Sequence, residues 1–365
     1  MPPERQTPAG QPPARPTLRE VARQAGVSVS TASLAFSGKG AITPAMVERV
    51  RAAAAELGYG GPNPLAASFR QGRSGIVAVV LEGRIGYAFT DPFALRVTDG
   101  LAQVLDGIPA GLLLLGRNPT DHQALLDQLA IMPCDAVVFA FCGPASDPAV
   151  DLLAARGIPM IASGSPVDPR VHRLVVDERG ASALATTHLS ALGHRRLAHV
   201  TLPFTAHASP GPVDPASLDE ATYADAQQRA LGFLDIADDG ELYQTTGVGV
   251  AEGEAAGRYL LDRPADRRPT GIVAQSDQLA AGVILAAREL DIEVPADLSV
   301  VGFDGVDLPW LGATLTTIDQ DGFAKGATLG AMVSRALAGG QVGDHHHGVH
   351  LRSGDTTGPA PRGSR

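Results

Sequence analysis

The chain has 365 residues, enough for two or three domains, with 44% hydrophobic and 19% charged residues, a composition that excludes a wholly disordered or fibrous protein. No run of 18 apolar residues occurs, which excludes a membrane-spanning helix, and the N-terminal MPPERQTPAGQPPARP lacks the apolar core of a signal peptide. Charge is unevenly placed: residues 1–73 carry nine Lys/Arg against four Glu, while the remainder carries 20 Lys/Arg against 35 Asp/Glu. A basic head on an acidic body predicts that only the head meets a polyanion.

Residues 1–16 read as a disordered tail. The stretch TLREVARQAGVSVSTASLAFS, residues 17–37, reads as two short helices around a tight turn. Thr17 with Glu20 forms a capping box, Leu18, Val21, Ala22 and Ala25 recur at helical spacing, Gly26 supplies the turn, and Ser28 caps the next helix. Two helices so joined can place the second in a DNA major groove; the alternative is an ordinary helical hairpin. A third helix starts at Thr43-Pro44 with an apolar stripe of Met46, Val47, Val50, Ala54 and Leu57, and stops at Gly58. The segment 63–74 opens with Asn63-Pro64 as cap and first-turn proline. It is either a plain linker or a short hinge helix that forms only when DNA holds it.

From Ile76 the pattern changes. Continuous apolar strands (IVAVVL, GLLLLG, AVVFAF, IPMIAS) alternate with amphipathic helices at about 93–105, 121–130 and 149–157. A second series starts at HRLVVD and runs through RLAHVTL, TGIVAQ and LSVVGFD with four further helices. Such alternation predicts two doubly wound parallel sheets with a cleft at their carboxyl ends. Pro203 to Ala226 is long and without clear period, and is expected as a flap near the cleft; the tail from Thr356 is expected to be disordered. Cys134 and Cys142 close CDAVVFAFC, a strand of roughly 26 Å, too long for a disulfide between its ends. They read as reduced, packed thiols of a cytosolic protein. His345, His346, His347 and His350 invite a metal, but the Gly-rich surroundings favour a solvated loop. No phosphate-binding Gly-rich loop, G-x-S-x-G or Cys/His metal spacing appears, so no catalytic residue, metal or cofactor is assigned.

The ordered set TLREVARQAGVSVSTAS, PNPLAASFRQGR, DPF at 91–93, ARGIPMI, VDERGASALATTHLSALGHRR, ADLSVVGFD and LTTIDQ resembles the lac-repressor/galactose-repressor family of bacterial transcription regulators, from about Thr17 to Gly354. The resemblance implies a small all-α helix-turn-helix head at 17–62, a hinge helix at 63–74 and a two-lobed periplasmic-binding-protein-like α/β body at 75–355. Lobe 1 would comprise about 75–175 and 321–347, lobe 2 about 176–320 and 348–355. It implies a cytoplasmic metabolite-responsive regulator, a repressor binding a palindromic double-stranded operator as a homodimer, with a sugar or a nucleoside as effector and no membrane partner.

Residue roles follow at matching positions. Val29 and Ser30 open the recognition helix. Leu34 stands where many members carry a base-reading Arg, which removes a bidentate contact to guanine. Thr17, Ser28, Thr31, Ser33, Ser37 and Thr43 match phosphate contacts, with capping alone as the alternative for Ser28 and Thr43. Asn63, Ala66 and Phe69 match DNA contacts of the hinge, Phe69 as the minor-groove wedge or else a core contact under the hinge. In the body Phe93, Arg229, Ser276, Asp277, Asp304 and Gln320 match effector contacts; an interlobe salt bridge is the alternative for Arg229 and Asp304. Gly164 falls where sugar-binding members carry Asp. A periplasmic solute receptor and an enzyme are the rival classes. The basic head argues against the first, and the lack of a nucleophile–base or metal pattern against the second.

Overall fold

The computed structural model describes residues 16–38, 42–61, 72–118, 121–141 and 143–361. The chain forms two compact units, residues 1–74 and 75–365. The expected N-terminal tail to residue 15, Cys142, and the hinge residues Asn63, Ala66 and Phe69 lie outside the described residues.

In the head, α1 spans Leu18–Gln24, α2 Val29–Ser37 and α3 Pro44–Glu56. Local chemistry sets each start. Thr17 and Glu20 complete the capping box, Ser28 Oγ accepts from Thr31 N at 3.0 Å, and Thr43 caps α3 ahead of Pro44. Gly26, at φ 64°, makes the turn that an L side chain resists. The core is small: Val21, Ala22, Ala25, Ala32, Ala35, Val50, Ala53 and Ala54 are buried, and Phe36 meets Tyr59 edge-on at 5.6 Å. Alanine on all three helices allows close approach, so helix ends rather than bulk set this unit.

The body holds two sheets. The first comprises β1 (Ile76–Glu82), β2 (Gly111–Arg117), β3 (Ala136–Phe139), β4 (Met160–Ser163), β5 (Val171–Val176) and β12 (His345–His347), in the all-parallel order β12-β5-β4-β3-β1-β2. The second comprises β6 (Leu197–Thr201), β7 (Gly211–Val213), β8 (Glu241–Gln244), β9 (Gly271–Ala274), β10 (Ser299–Asp304), β11 (Thr316–Asp319) and β13 (His350–Arg352), in the order β13-β11-β10-β9-β6-β8-β7. Its edge strands β13 and β7 run antiparallel to their neighbours. The central strands are buried throughout, as parallel strands covered by helices must be. The chain passes from the first sheet to the second after β5, returns after β11 and crosses again between β12 and β13. Helices Pro92–Leu105 and Gly322–Leu337 pack through glycines: a β-carbon on Gly326 would stand 2.0 Å from the Val97 carbonyl oxygen.

Four expectations are corrected. HRLVVD is β5 and closes the first sheet instead of opening the second, because its pattern shows only that a strand is buried, not against which sheet. The Pro203–Ala226 stretch is not aperiodic; it builds edge strand β7, the 3₁₀ helix Pro215–Glu220 and the start of helix Ala224–Leu234. His345–His347 is strand β12, paired with Leu174–Val176, not a loop. The segment 356–361 is packed: Thr356 is fully buried, its hydroxyl donates to the Val300 carbonyl at 2.7 Å, and Ala360 N donates to the Leu192 carbonyl at 2.9 Å. The strand Glu241–Gln244 and the helix Gly322–Leu337 are further elements that the sequence pattern left unread.

Candidate functional site

A cavity of about 710 Å³ opens between the two sheets of the body. It is lined by residues that follow strand after strand: Glu82 from β1, Ala140 and Phe141 after β3, Ser163 from β4, Leu202 and Pro203 after β6, Gln275 and Ser276 after β9, Asp304 from β10 and Gln320 after β11. This is the crevice outside the carboxyl ends of open α/β sheets.

The polar centre is a relay. Lys325 Nζ donates to Gln320 Oε1 at 2.9 Å, and Gln320 Nε2 donates to Asp304 Oδ1 at 3.0 Å. The same ammonium stands 5.4 Å from the centre of the Phe93 ring, so Phe93 offers the cavity an aromatic wall backed by a cation. Asp304 ends β10 at φ 133°, a conformation uncommon for a residue with a side chain. Burial, and then the nearby Asp277 and Asp91 carboxylates, hold the Asp304 carboxyl well above its ordinary range, against the pull of Arg229. Asp91 caps the helix Pro92–Leu105 through Ala94 N at 2.7 Å and accepts from Gln278 Nε2 of the other lobe; burial raises it too. At another wall Tyr223 Oη donates to Glu82 Oε1 at 2.9 Å, again between lobes, and burial raises Glu82 against the pull of Arg117.

Of the sequence-predicted effector residues, Phe93, Arg229, Ser276, Asp304 and Gln320 line this cavity. Asp277 does not. It is fully buried beneath Asp304, where its carboxylate accepts from Thr317 Oγ1 at 2.6 Å and Val306 N at 2.7 Å, and burial pushes it up to about 6. The expectation of a direct contact is corrected for it: as the first residue of helix Asp277–Glu289 it points into the β10–β11 layer. Arg229 lies on the wall, but its Nε donates to Glu178 at 2.6 Å and its Nη1 to the Gln275 carbonyl at 2.8 Å, while its guanidinium stacks 3.8 Å from the Phe303 ring centre. It braces Gln275 and balances Asp304 from the cavity wall, and its ion pair with Glu178 lies within one lobe, so it is not the interlobe salt bridge of the alternative. Ser276 Oγ donates to the Val248 carbonyl and caps Leu279 N. Sequence reasoning missed Glu82, Lys325, Gln275, Gln278 and Tyr223; only Asp91 left a signal, as the cap before Pro92 in DPF.

On the head, Thr17, Ser28, Ser30, Ser37 and Thr43 are exposed, and Thr31 and Ser33 are half-buried. Ser28 Oγ lies 2.7 Å from both Ser30 Oγ and Thr31 Oγ1, so capping and a hydroxyl cluster coexist at the start of α2. Val29 and Leu34 expose 45% and 40% of their surface, apolar area on α2 that the head core does not use.

Comparison with known proteins agrees with this architecture. Residues 17–63 match the model for bacterial regulatory proteins of the lacI family, and residues 186–357 match the periplasmic binding protein-like domain. An HTH-type transcriptional regulator of Mycolicibacterium smegmatis is 31% identical over 338 residues, 88% of this chain and 91% of the relative. The HTH-type transcriptional regulator CelR of Thermobifida fusca is 30% identical over 300 residues, 80% of this chain and 82% of the relative. Among solved structures, a complex of transcriptional regulator CelR with cellobiose covers 94% of this chain and all of its own at 25% identity and TM-score 0.64. The lac repressor dimer bound to operator and the anti-inducer ONPF shares the fold at 22% identity and TM-score 0.72, over 94% of this chain and 99% of its own. The chain belongs to the lacI family of bacterial regulatory proteins. It is a helix-turn-helix transcriptional regulator with a periplasmic-binding-protein-like body.

Proposed function

We propose that the protein is a cytoplasmic repressor that binds a palindromic operator as a homodimer and releases or tightens on it when a sugar or similar small polar molecule occupies the body cavity. The observation that carries this is the Lys325–Gln320–Asp304 relay beside the Phe93 ring, inside a cavity walled by both lobes. A carboxyl that accepts hydroxyls next to an aromatic face is how a cleft holds a polyol. The named ligand of the related CelR structure, cellobiose, is of that chemistry.

The effector acts by changing how the lobes meet. Gln278–Asp91 and Tyr223–Glu82 join the lobes, and Ala145 N donates to the Thr222 carbonyl at 2.9 Å. A ligand touching Phe93 and Asp304 together biases these contacts, and only its differential affinity for the two arrangements can shift them. On the DNA side, α2 presents Val29, Ser30 and Leu34 to base edges. Thr17, Ser28, Thr31, Ser33, Ser37 and Thr43 hold phosphates, and Asn63, Ala66 and Phe69 act in the hinge. The relatives are named transcriptional regulators, and no catalytic role is proposed. Among the described residues no helix is long and apolar enough to cross a membrane, and no group of His, Cys, Asp or Glu is arranged to hold a metal.

The test is a thermal-shift screen of sugars and nucleosides on the full chain, since a ligand that binds the folded state raises its stability by mass action. A sugar should raise the melting temperature and do so less in Asp304→Ala. A screen in which only nucleosides act would move the effector class, and an Asp304→Ala protein shifted like the parent would remove the cavity assignment.

A further inference from the structure

The exposed face of α2 is unusual for a helix on the surface of a basic head. Ala32 and Ala35 turn into the head core. With 3.6 residues per turn, Val29, Ser33, Ser37, Ser30 and Leu34 fan over an arc of about 140° away from them. Of these Val29, Ser30, Leu34 and Ser37 are exposed and Ser33 is half-buried. An outward helix face ordinarily carries charged or long polar side chains. This arc has none: the whole of α2, VSTASLAFS, contains no charged residue and no side-chain amide.

Its hydroxyls are short and partly engaged at home. Ser30 Oγ lies 2.7 Å from Ser28 Oγ, and Ser37 Oγ donates to the Leu34 carbonyl at 3.3 Å. The amide at the end of α1 is turned away as well, since Gln24 Nε2 donates to Glu56 of α3 at 3.1 Å. What distinguishes the arc is therefore methyl groups. Val29 exposes 45% of its surface and Leu34 40%, one at each border of the arc.

We propose that Val29 and Leu34 read thymine methyl groups, so that each half-site is specified in the major groove by thymine–adenine pairs and not by guanine. This rests on the reading that α2 enters the major groove. Guanine is read there by the fork of an Arg or the ammonium of a Lys, and adenine by an Asn or Gln amide, all of which α2 lacks. A Ser hydroxyl serves any base. Thymine alone of the four bases presents a methyl group in that groove, and aliphatic carbon is its partner. Val29 and Leu34 are five residues apart, about 7.5 Å along the helix, so the two thymines lie within about three base pairs of each other.

The experiment starts from an operator selected from random DNA by the full chain. Each thymine of a half-site is then replaced in turn by deoxyuridine, which lacks only the 5-methyl group. Two of these replacements should each weaken binding by about fourfold, the worth of one methyl buried against aliphatic carbon. One of the two losses should vanish in Leu34→Ala and the other in Val29→Ala. Both variants should melt as the parent does, because neither side chain belongs to the head core. Leu34→Arg, put through a fresh selection, should bring guanine into the half-site. Full affinity for every uracil operator, or uracil losses that persist in both variants, would overturn the methyl reading. So would a selected guanine whose replacement by 7-deazaguanine, which lacks the N7 acceptor, costs the parent more than any uracil does. If Val29→Ala, Ser30→Ala and Leu34→Ala all select the parent's operator with the parent's affinity, α2 does not face the bases, and the major-groove reading falls together with the thymine contacts.

Discussion

At the scale of single residues the site turns on buried carboxyls. Asp304 must do two things: accept from Gln320 and face the cavity. Asp304→Ala should abolish the response to effector while the fold persists, because the acceptor facing the cavity is lost and Gln320 loses its hydrogen-bond partner. Asp304→Asn should retain part of the response. Asp277 behaves differently because no ligand reaches it. Its carboxyl is pushed from an ordinary 3.8 up to about 6, so the folded chain keeps this proton to higher pH than the unfolded chain does. The stability it contributes is present at low pH and declines as pH rises from about 4 through about 6. In thermal melts, Asp277→Asn should gain on the parent between pH 5 and pH 8. A difference between the two that does not change with pH would contradict the assignment. The sequence made Asp304 and Gln320 legible through VGFD and TTIDQ, but it could not show that Arg229 is taken by Glu178, 51 positions away. Pairing is a property of the packed helices, not of the motif.

At the scale of elements, caps and close approaches decide stability. The head has little core, so its helix ends matter more than in the body. Ser28→Ala removes an N-cap and should cost about 1 kcal/mol, read as a lower melting midpoint of the head. In the body, helices Pro92–Leu105 and Gly322–Leu337 touch backbone to backbone at Gly326. Gly326→Val forces them apart and should cost about 1–3 kcal/mol in denaturant unfolding. A loss no larger than that of a surface substitution would mean that the helices separate easily.

Most elements were legible because periodicity 3.6 and unbroken apolar runs are local signals. Assignment of β5 to its sheet was not, since a buried strand reads alike in either lobe. Nor was the order of the 356–361 segment. It is short and polar, and its order comes from Thr356 bonding to Val300 and Thr316 across the chain. The His345–His347 run read as a loop for a similar reason, because only β5 makes it a strand.

At the scale of the whole molecule, a basic head and an acidic body divide the labour. Operator affinity should fall steeply with salt, with a slope set by the phosphates neutralised. Phe69, outside the described residues, adds a prediction from sequence alone. Phe69→Ala should weaken operator binding strongly and binding to random DNA little, while Phe69→Leu recovers much of the loss, since a smaller apolar wedge still unstacks a base step. Equal losses on both DNAs would make Phe69 a core residue.

An occupant of the body cavity should control what the head does on DNA. This is read as the affinity of the full chain for an operator selected from random DNA, at one salt concentration, with and without the stabilising sugar, in parent and Asp304→Ala proteins side by side. Operator affinity should change by about 5- to 150-fold in the parent, the usual scale of such coupling, and not at all in the variant. A sugar that binds the parent without altering operator affinity, or a variant that responds as the parent does, would mean that the cavity does not control the head.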